Sequence, residues 1–214
     1  ITLKSPHGAN QCIIKGSYLT AGDVYGCVVD TGDINHGEQR LEGLTLTNGT
    51  GYLDSTVQSS TQRLGGGCHA QISSNGILRV RDCVFTNNAP DLAGGGLGAR
   101  HMTGQLIVTG SNFIGNSSKI GSGLAIHGPG TLQLNNSVIA ANSGFGEQPI
   151  GVGLYLDVQN VTINGCMIRD NDSASASGFG GGIAVGPLAA TLGTGSLPQV
   201  QINNTSFIAN RADF

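Results

Sequence analysis

Gly94-Gly95-Gly96-Leu97-Gly98-Ala99 is one of five copies of a block in which a Gly-x-Gly step opens an alternating apolar run. The others are Gly65-Gly66-Gly67-Cys68-His69-Ala70, Gly121-Ser122-Gly123-Leu124-Ala125-Ile126, Gly151-Val152-Gly153-Leu154-Tyr155-Leu156 and Gly180-Gly181-Gly182-Ile183-Ala184-Val185. Their first glycines stand 29, 27, 30 and 29 residues apart. Gly26-Cys27-Val28-Val29 is a weaker relative. A second block lies between these, ending in a small residue, then Phe or Ile, then Asn. Its copies are Leu78-Val80-Cys83-Phe85-Asn88, Leu106-Val108-Ser111-Phe113-Asn116, Leu132-Leu134-Ser137-Ile139-Asn142, Val161-Ile163-Cys166-Ile168-Asn171 and Val200-Ile202-Thr205-Phe207-Asn210. Apolar residues alternate within each block, which is the strand period, and no stripe at spacings of three and four intervenes.

Composition agrees with this pattern. Glycine supplies 36 of 214 residues and only 11% are charged, which argues against long helices. Apolar residues reach 38% and the net charge is −3, so the chain is not of the disordered class. The glycines do not fall at every third position, which excludes collagen. The small negative charge gives no footprint for nucleic acid. No apolar run is long enough to cross a membrane. The expected fold is therefore all-β. A repeat of roughly 27–30 residues with no helix predicts a β-solenoid of about six to seven coils. The whole of 1–214 reads as a single domain, and strand at both ends predicts a piece of a longer chain, with its ends covered by more chain or by neighbouring subunits.

Stacking at about 4.8 Å would place equivalent residues above one another. Cys27, Cys68, Leu97, Leu124, Leu154 and Ile183 then form one inward column, and Phe85, Phe113, Ile139, Ile168 and Phe207 another. Asn88, Asn116, Asn142, Asn171 and Asn210 read as an asparagine ladder. Adjacent coils would bring Cys27 and Cys68 within disulfide range. The alternative for both is a small buried hydrophobe.

The two blocks, seen in Gly180-Gly181-Gly182-Ile183 and Phe207-Ile208-Ala209-Asn210, resemble those of right-handed parallel β-helix repeat proteins. The resemblance is to secreted bacterial β-helix proteins and to the passenger regions of chlamydial polymorphic outer-membrane proteins. It implies a single-stranded right-handed parallel β-helix and a secreted or cell-surface location. It says little of function, because that fold hosts lyases, adhesins and tailspikes alike.

For function, the sequence favours an extracellular structural or adhesive module, a rigid spacer displaying loops for contact with a glycan or a cell-surface protein. The alternative is a polysaccharide lyase or glycoside hydrolase working along the outer face. The outward column Asp30, Gln71, Arg100, His127, Asp157 supplies its catalytic candidates, Arg100, His127 and Asp157, which could grip a sugar acid or move a proton. A solvated face of mixed charge is the competing explanation. Asp170 and Asp172 are the candidate metal ligands, although the glycine and glutamate of a calcium loop are missing. No cofactor motif is present. Asn48, Asn135, Asn160 and Asn203 are candidate glycosylation sites if the source is eukaryotic. Segments 49–64 and 186–199 lengthen the repeat and are candidate recognition loops.

Overall fold

The computed structural model describes residues 1–16, 25–53, 63–173, 177–186 and 199–212. Among them the regular structure is all strand. Pairing forms sheets of nine, seven, three and two strands. The chain alternates between the two large ones. Cys68–Arg81 lies in the nine-stranded sheet and Val84–Thr86 in the seven-stranded sheet. Leu97–Arg100 and Gln105–Thr109 then return to the first, and Asn112–Ile114 to the second. Leu124–Asn135 with Val138–Ala140, and Leu154–Asn164 with Met167–Arg169, repeat the alternation. All pairs in both sheets are parallel and hold the repeat in register: Phe85 pairs with Phe113, Phe113 with Ile139 and Ile139 with Ile168.

The sequence blocks account for this stacking. The first glycine of each Gly-x-Gly step has a left-handed φ, between +56° at Gly121 and +68° at Gly94, where a Cβ is costly. The third glycine faces its counterpart in the next passage. A Cβ on Gly96 would come within 2.7 Å of the Gly123 carbonyl oxygen, and one on Gly123 within 2.4 Å of that of Gly153. A larger residue there would force the strands apart.

Inward residues from both sheets form one core cluster running from Ile34 to Ile168. Phe85 and Phe113 stack within it at 4.6 Å between centroids. Each fully buried side chain of this size contributes about 1.5–3 kcal/mol. The buried asparagines are satisfied by the repeat itself. Asn116 Nδ2 donates to Asn142 Oδ1 (3.1 Å) and to the Phe85 carbonyl (3.0 Å). Asn142 Nδ2 donates to Asn171 Oδ1 (2.8 Å), and Asn171 Nδ2 to Asn210 Oδ1 (2.8 Å). Asn88 Nδ2 donates to Asn116 Oδ1 (2.9 Å). The small column acts likewise: Ser111 Oγ accepts from the Cys83 amide (3.2 Å), and Ser137 Oγ from the Ser111 amide (3.2 Å).

The architecture departs from the expected single-stranded right-handed β-helix of six to seven coils. The strands divide into several separate sheets. Cys68–Arg81 and Leu124–Asn135 each pair with both Leu97–Arg100 and Gln105–Thr109, so four parallel strands close a circuit of pairing. Tyr25–Gly26, Gly51–Leu53 and Arg63–Leu64 pair antiparallel, which a uniform parallel coil does not contain. The physical reason is that a repeat fixes which residue sits beside which. It does not fix how backbone pairing is divided where bulges and insertions intervene.

The first passage shows this directly. Its strand Val29–Glu42 pairs with Cys68–Arg81, with register shifts between Asp30 and Asp33 and between Ile34 and His36. Val29, not Cys27, therefore lies beside Cys68, and Asp33, not Asp30, beside Gln71. Cys27 and Cys68 are both free thiols, so the candidate disulfide is not formed and the alternative of two small hydrophobes describes them. Burial, reinforced by Asp30, pushes the Cys27 thiol up to about 12, and burial also raises that of Cys68. Both stay protonated at neutral pH and behave as small hydrophobes. Of the two expected recognition loops, 54–62 and 187–198 lie outside the described residues.

Candidate functional site

A groove runs along the outward face of the nine-stranded sheet. The outward column His69, Gly98, Ala125, Tyr155, Ala184 is in register across five strands. A parallel row of single bridges, Leu64–Ala93–Ile120–Ile150–Phe179, stands beside it. Together they make a second apolar cluster, separate from the core and centred on Leu64, Ala93, Ala125 and Tyr155. Gly98 and Ala125 are too small to fill the space, which leaves a cavity of about 90 Å³. The Tyr155 hydroxyl closes one side by donating to the Gly186 carbonyl oxygen (2.7 Å). Burial and the nearby Asp157 charge raise that hydroxyl's pKa.

Arg100 and His127 line the same cavity. His127 pairs with Asp157 across neighbouring strands, Nε2 to Oδ2 at 3.3 Å. The His101 ring meets the His127 ring edge-on at 6.4 Å. The structure thus brings Arg100, His127 and Asp157 to one rim. Burial lowers the His127 pKa. Asp157 opposes this, while the Arg100 and His101 charges add to it. Nε2 faces the Asp157 carboxylate, and Nδ1 is the other ring nitrogen. It is buried and has no hydrogen-bond partner among the described residues. The arrangement is an imidazole whose burial favours the neutral form, set between a carboxylate and a cation.

Asp30 belongs elsewhere. Its Oδ1 lies 3.1 Å from His69 Nδ1, and His69 is only 2% exposed. The hydrogen bond from His69 holds the Asp30 carboxyl below its ordinary value, against the cost of burial. Tyr52 stacks on the His69 ring at 4.3 Å and 11°, carried there by the antiparallel strand Gly51–Leu53. This Asp30–His69–Tyr52 group was not anticipated from sequence. Aligning Val29 with Cys68 would have put Asp30 beside His69, but the glycine of Gly26-Cys27-Val28-Val29 pulled the alignment two residues away.

The acidic pair does not converge. Asp170 is exposed, has φ +55° and pairs with Arg169, while Asp172 bridges Ser143 and Arg211 through its backbone. Asn171 between them is buried in the ladder. No three His, Cys, Asp or Glu side chains among the described residues are placed to hold a metal ion. Of the sequons, Asn48, Asn160 and Asn203 are exposed and Asn135 is half-buried.

No family model, curated protein or solved structure matches the chain. The resemblance to secreted β-helix proteins and chlamydial passenger regions is overturned by this result together with the divided sheets. The blocks that carried it, Gly-Gly-Gly-Ile and Phe-x-x-Asn, do specific packing work here. Glycine suits the close approach and an amide suits the ladder in a chain that stacks parallel strands in register, whatever its ancestry.

Proposed function

We propose that the chain is an extracellular structural or adhesive module: a rigid body that presents its outer face to a cell surface, a matrix or a glycan. The interior asparagine ladder carries this reading. It joins Asn88, Asn116, Asn142, Asn171 and Asn210 by amide–amide hydrogen bonds across five successive passages, and so couples their positions. Several outer charges are paired locally, as in Arg79–Glu38 (2.6 Å) and Lys4–Glu42 (3.1 Å). Burial raises the thiol pKa of Cys27, Cys68, Cys83 and Cys166, which makes them poor nucleophiles.

Adding the soluble, labelled chain to cells and to deposited extracellular matrix tests the adhesive part. Saturable retention on at least one of them is expected. Failure to saturate on any surface tried would remove it.

One observation supports a second reading. The His127–Asp157 pair beside Arg100 at the mouth of a cavity could serve acid–base chemistry on a polysaccharide, as a lyase or glycoside hydrolase would. Against it, glycoside cleavage ordinarily needs two carboxyl groups facing one bond, and this cavity is lined by none.

A further inference from the structure

Beyond the groove, the same outward sheet face changes character along the stack. At its start it is charged. Arg40 pairs in register with Arg79, and Glu42 with Arg81. From the next strand onward the same rows continue as Ile107, Gln133, Thr162, Gln201 and as Thr109, Asn135, Asn164, Asn203. A third row runs from Gln105 through Thr131 and Asn160 to Gln199. The intervening residues, such as Leu106, Leu134 and Ile163, are buried, so these rows point outward. Eleven of the twelve positions carry an amide or a hydroxyl, and none carries a charge. All twelve are half-buried or exposed. Asn164 accepts a hydrogen bond from Asn204 Nδ2 (3.4 Å). The other ten polar side chains make no hydrogen bond to protein among the described residues.

The chemistry of these rows selects a partner. An anionic polymer would find no cation on these four strands, and the neighbouring Arg40, Arg79 and Arg81 are already paired with Glu38 and Asp82. An apolar surface would bury these amides and hydroxyls unsatisfied, which disfavours it at every one of them. A polymer of hydroxyl groups matches them, because amide and hydroxyl side chains both donate and accept. Strands about 4.8 Å apart give each row a polar group at roughly the length of one sugar ring, over about 14 Å for four strands. We infer that this face binds a neutral polysaccharide laid across the strands. The inference rests on the adhesive reading and names the ligand class it would serve.

The test is retention of the full chain on insoluble cellulose, chitin and β-1,3-glucan, with pectate and heparin matrices as acidic controls. Protein from a bacterial host keeps Asn135, Asn160 and Asn203 free of glycan. Retention on at least one neutral matrix, unchanged by added salt, is expected. Gln133→Ala with Thr162→Ala should weaken it about tenfold, the equivalent of two or so net hydrogen bonds. Both side chains point outward, so the variant should keep the wild-type unfolding midpoint. The inference is overturned by no retention on any neutral matrix, by retention confined to acidic matrices and lost in salt, or by retention that the double variant leaves intact. Retention on cells without retention on any neutral polysaccharide would overturn this inference alone. Failure on both would overturn the adhesive reading too.

Discussion

Asn142 shows how much one interior residue holds. Its Oδ1 accepts from the Asn116 backbone amide (3.0 Å) and side chain (3.1 Å), and its Nδ2 donates to the Phe113 carbonyl (3.0 Å) and to Asn171 (2.8 Å). Asn142→Ala strands several buried groups at once. A loss of about 2–4 kcal/mol is expected, read as a lower urea midpoint with an unchanged slope. Gly121→Ala should cost at least about 2 kcal/mol in the same assay, because φ is +56° and its Cβ would stand 2.2 Å from the Leu124 carbonyl oxygen.

His127 gives a pH effect at the same scale. Its folded pKa lies below the ordinary 6.5, mainly through burial, so the unfolded chain takes up the proton first. Its contribution to stability is complete above pH 6.5 and is lost as pH falls through the folded value. Wild type should lose stability on acidification from pH 7, and His127→Gln should lose less over that interval. Equal pH dependence in the two proteins would rule this out. Asp30 adds a separate loss at lower pH, since its carboxyl is held below its ordinary 3.8 by His69.

Elements show what can be read from a repeat and what cannot. The copies fix the pairing of Leu97 with Leu124 and of Leu124 with Leu154, because glycine and core residues recur at the same offsets. They also place Arg100, His127 and Asp157 along one edge. The first passage escapes the repeat. Val29–Glu42 carries two register shifts, and a bulge leaves no mark in the spacing of apolar residues when glycines and short polar residues flank it. The antiparallel strands Gly51–Leu53 and Arg63–Leu64 were equally hidden, since two or three residues are too few to show a period. Hence Asp30–His69–Tyr52, built where these irregular elements meet, came only from the structure. Native-state hydrogen exchange should separate the two kinds of element. Amides of Leu124–Asn135, paired on both sides along the stack, should exchange only through large openings, and those of Arg63–Leu64 much sooner.

At the scale of the whole molecule, the described residues place outward faces of differing character around an apolar interior. One is charged and internally paired, one is apolar and grooved, and one is neutral and rich in amides. No helix among the described residues is long and apolar enough to cross a membrane. A scaffold that spends its polar interior on a ladder holds its outer faces in fixed relation, which suits contact over a broad surface. The groove with Arg100, His127 and Asp157 is where an enzymatic role would reside. The most direct measurement is incubation of the purified chain with a panel of acidic and neutral polysaccharides, scored for new reducing ends or unsaturated products. A structural or adhesive module yields none above buffer. Cleavage that disappears in Arg100→Ala or Asp157→Ala would contradict the proposed function and make the groove an active site.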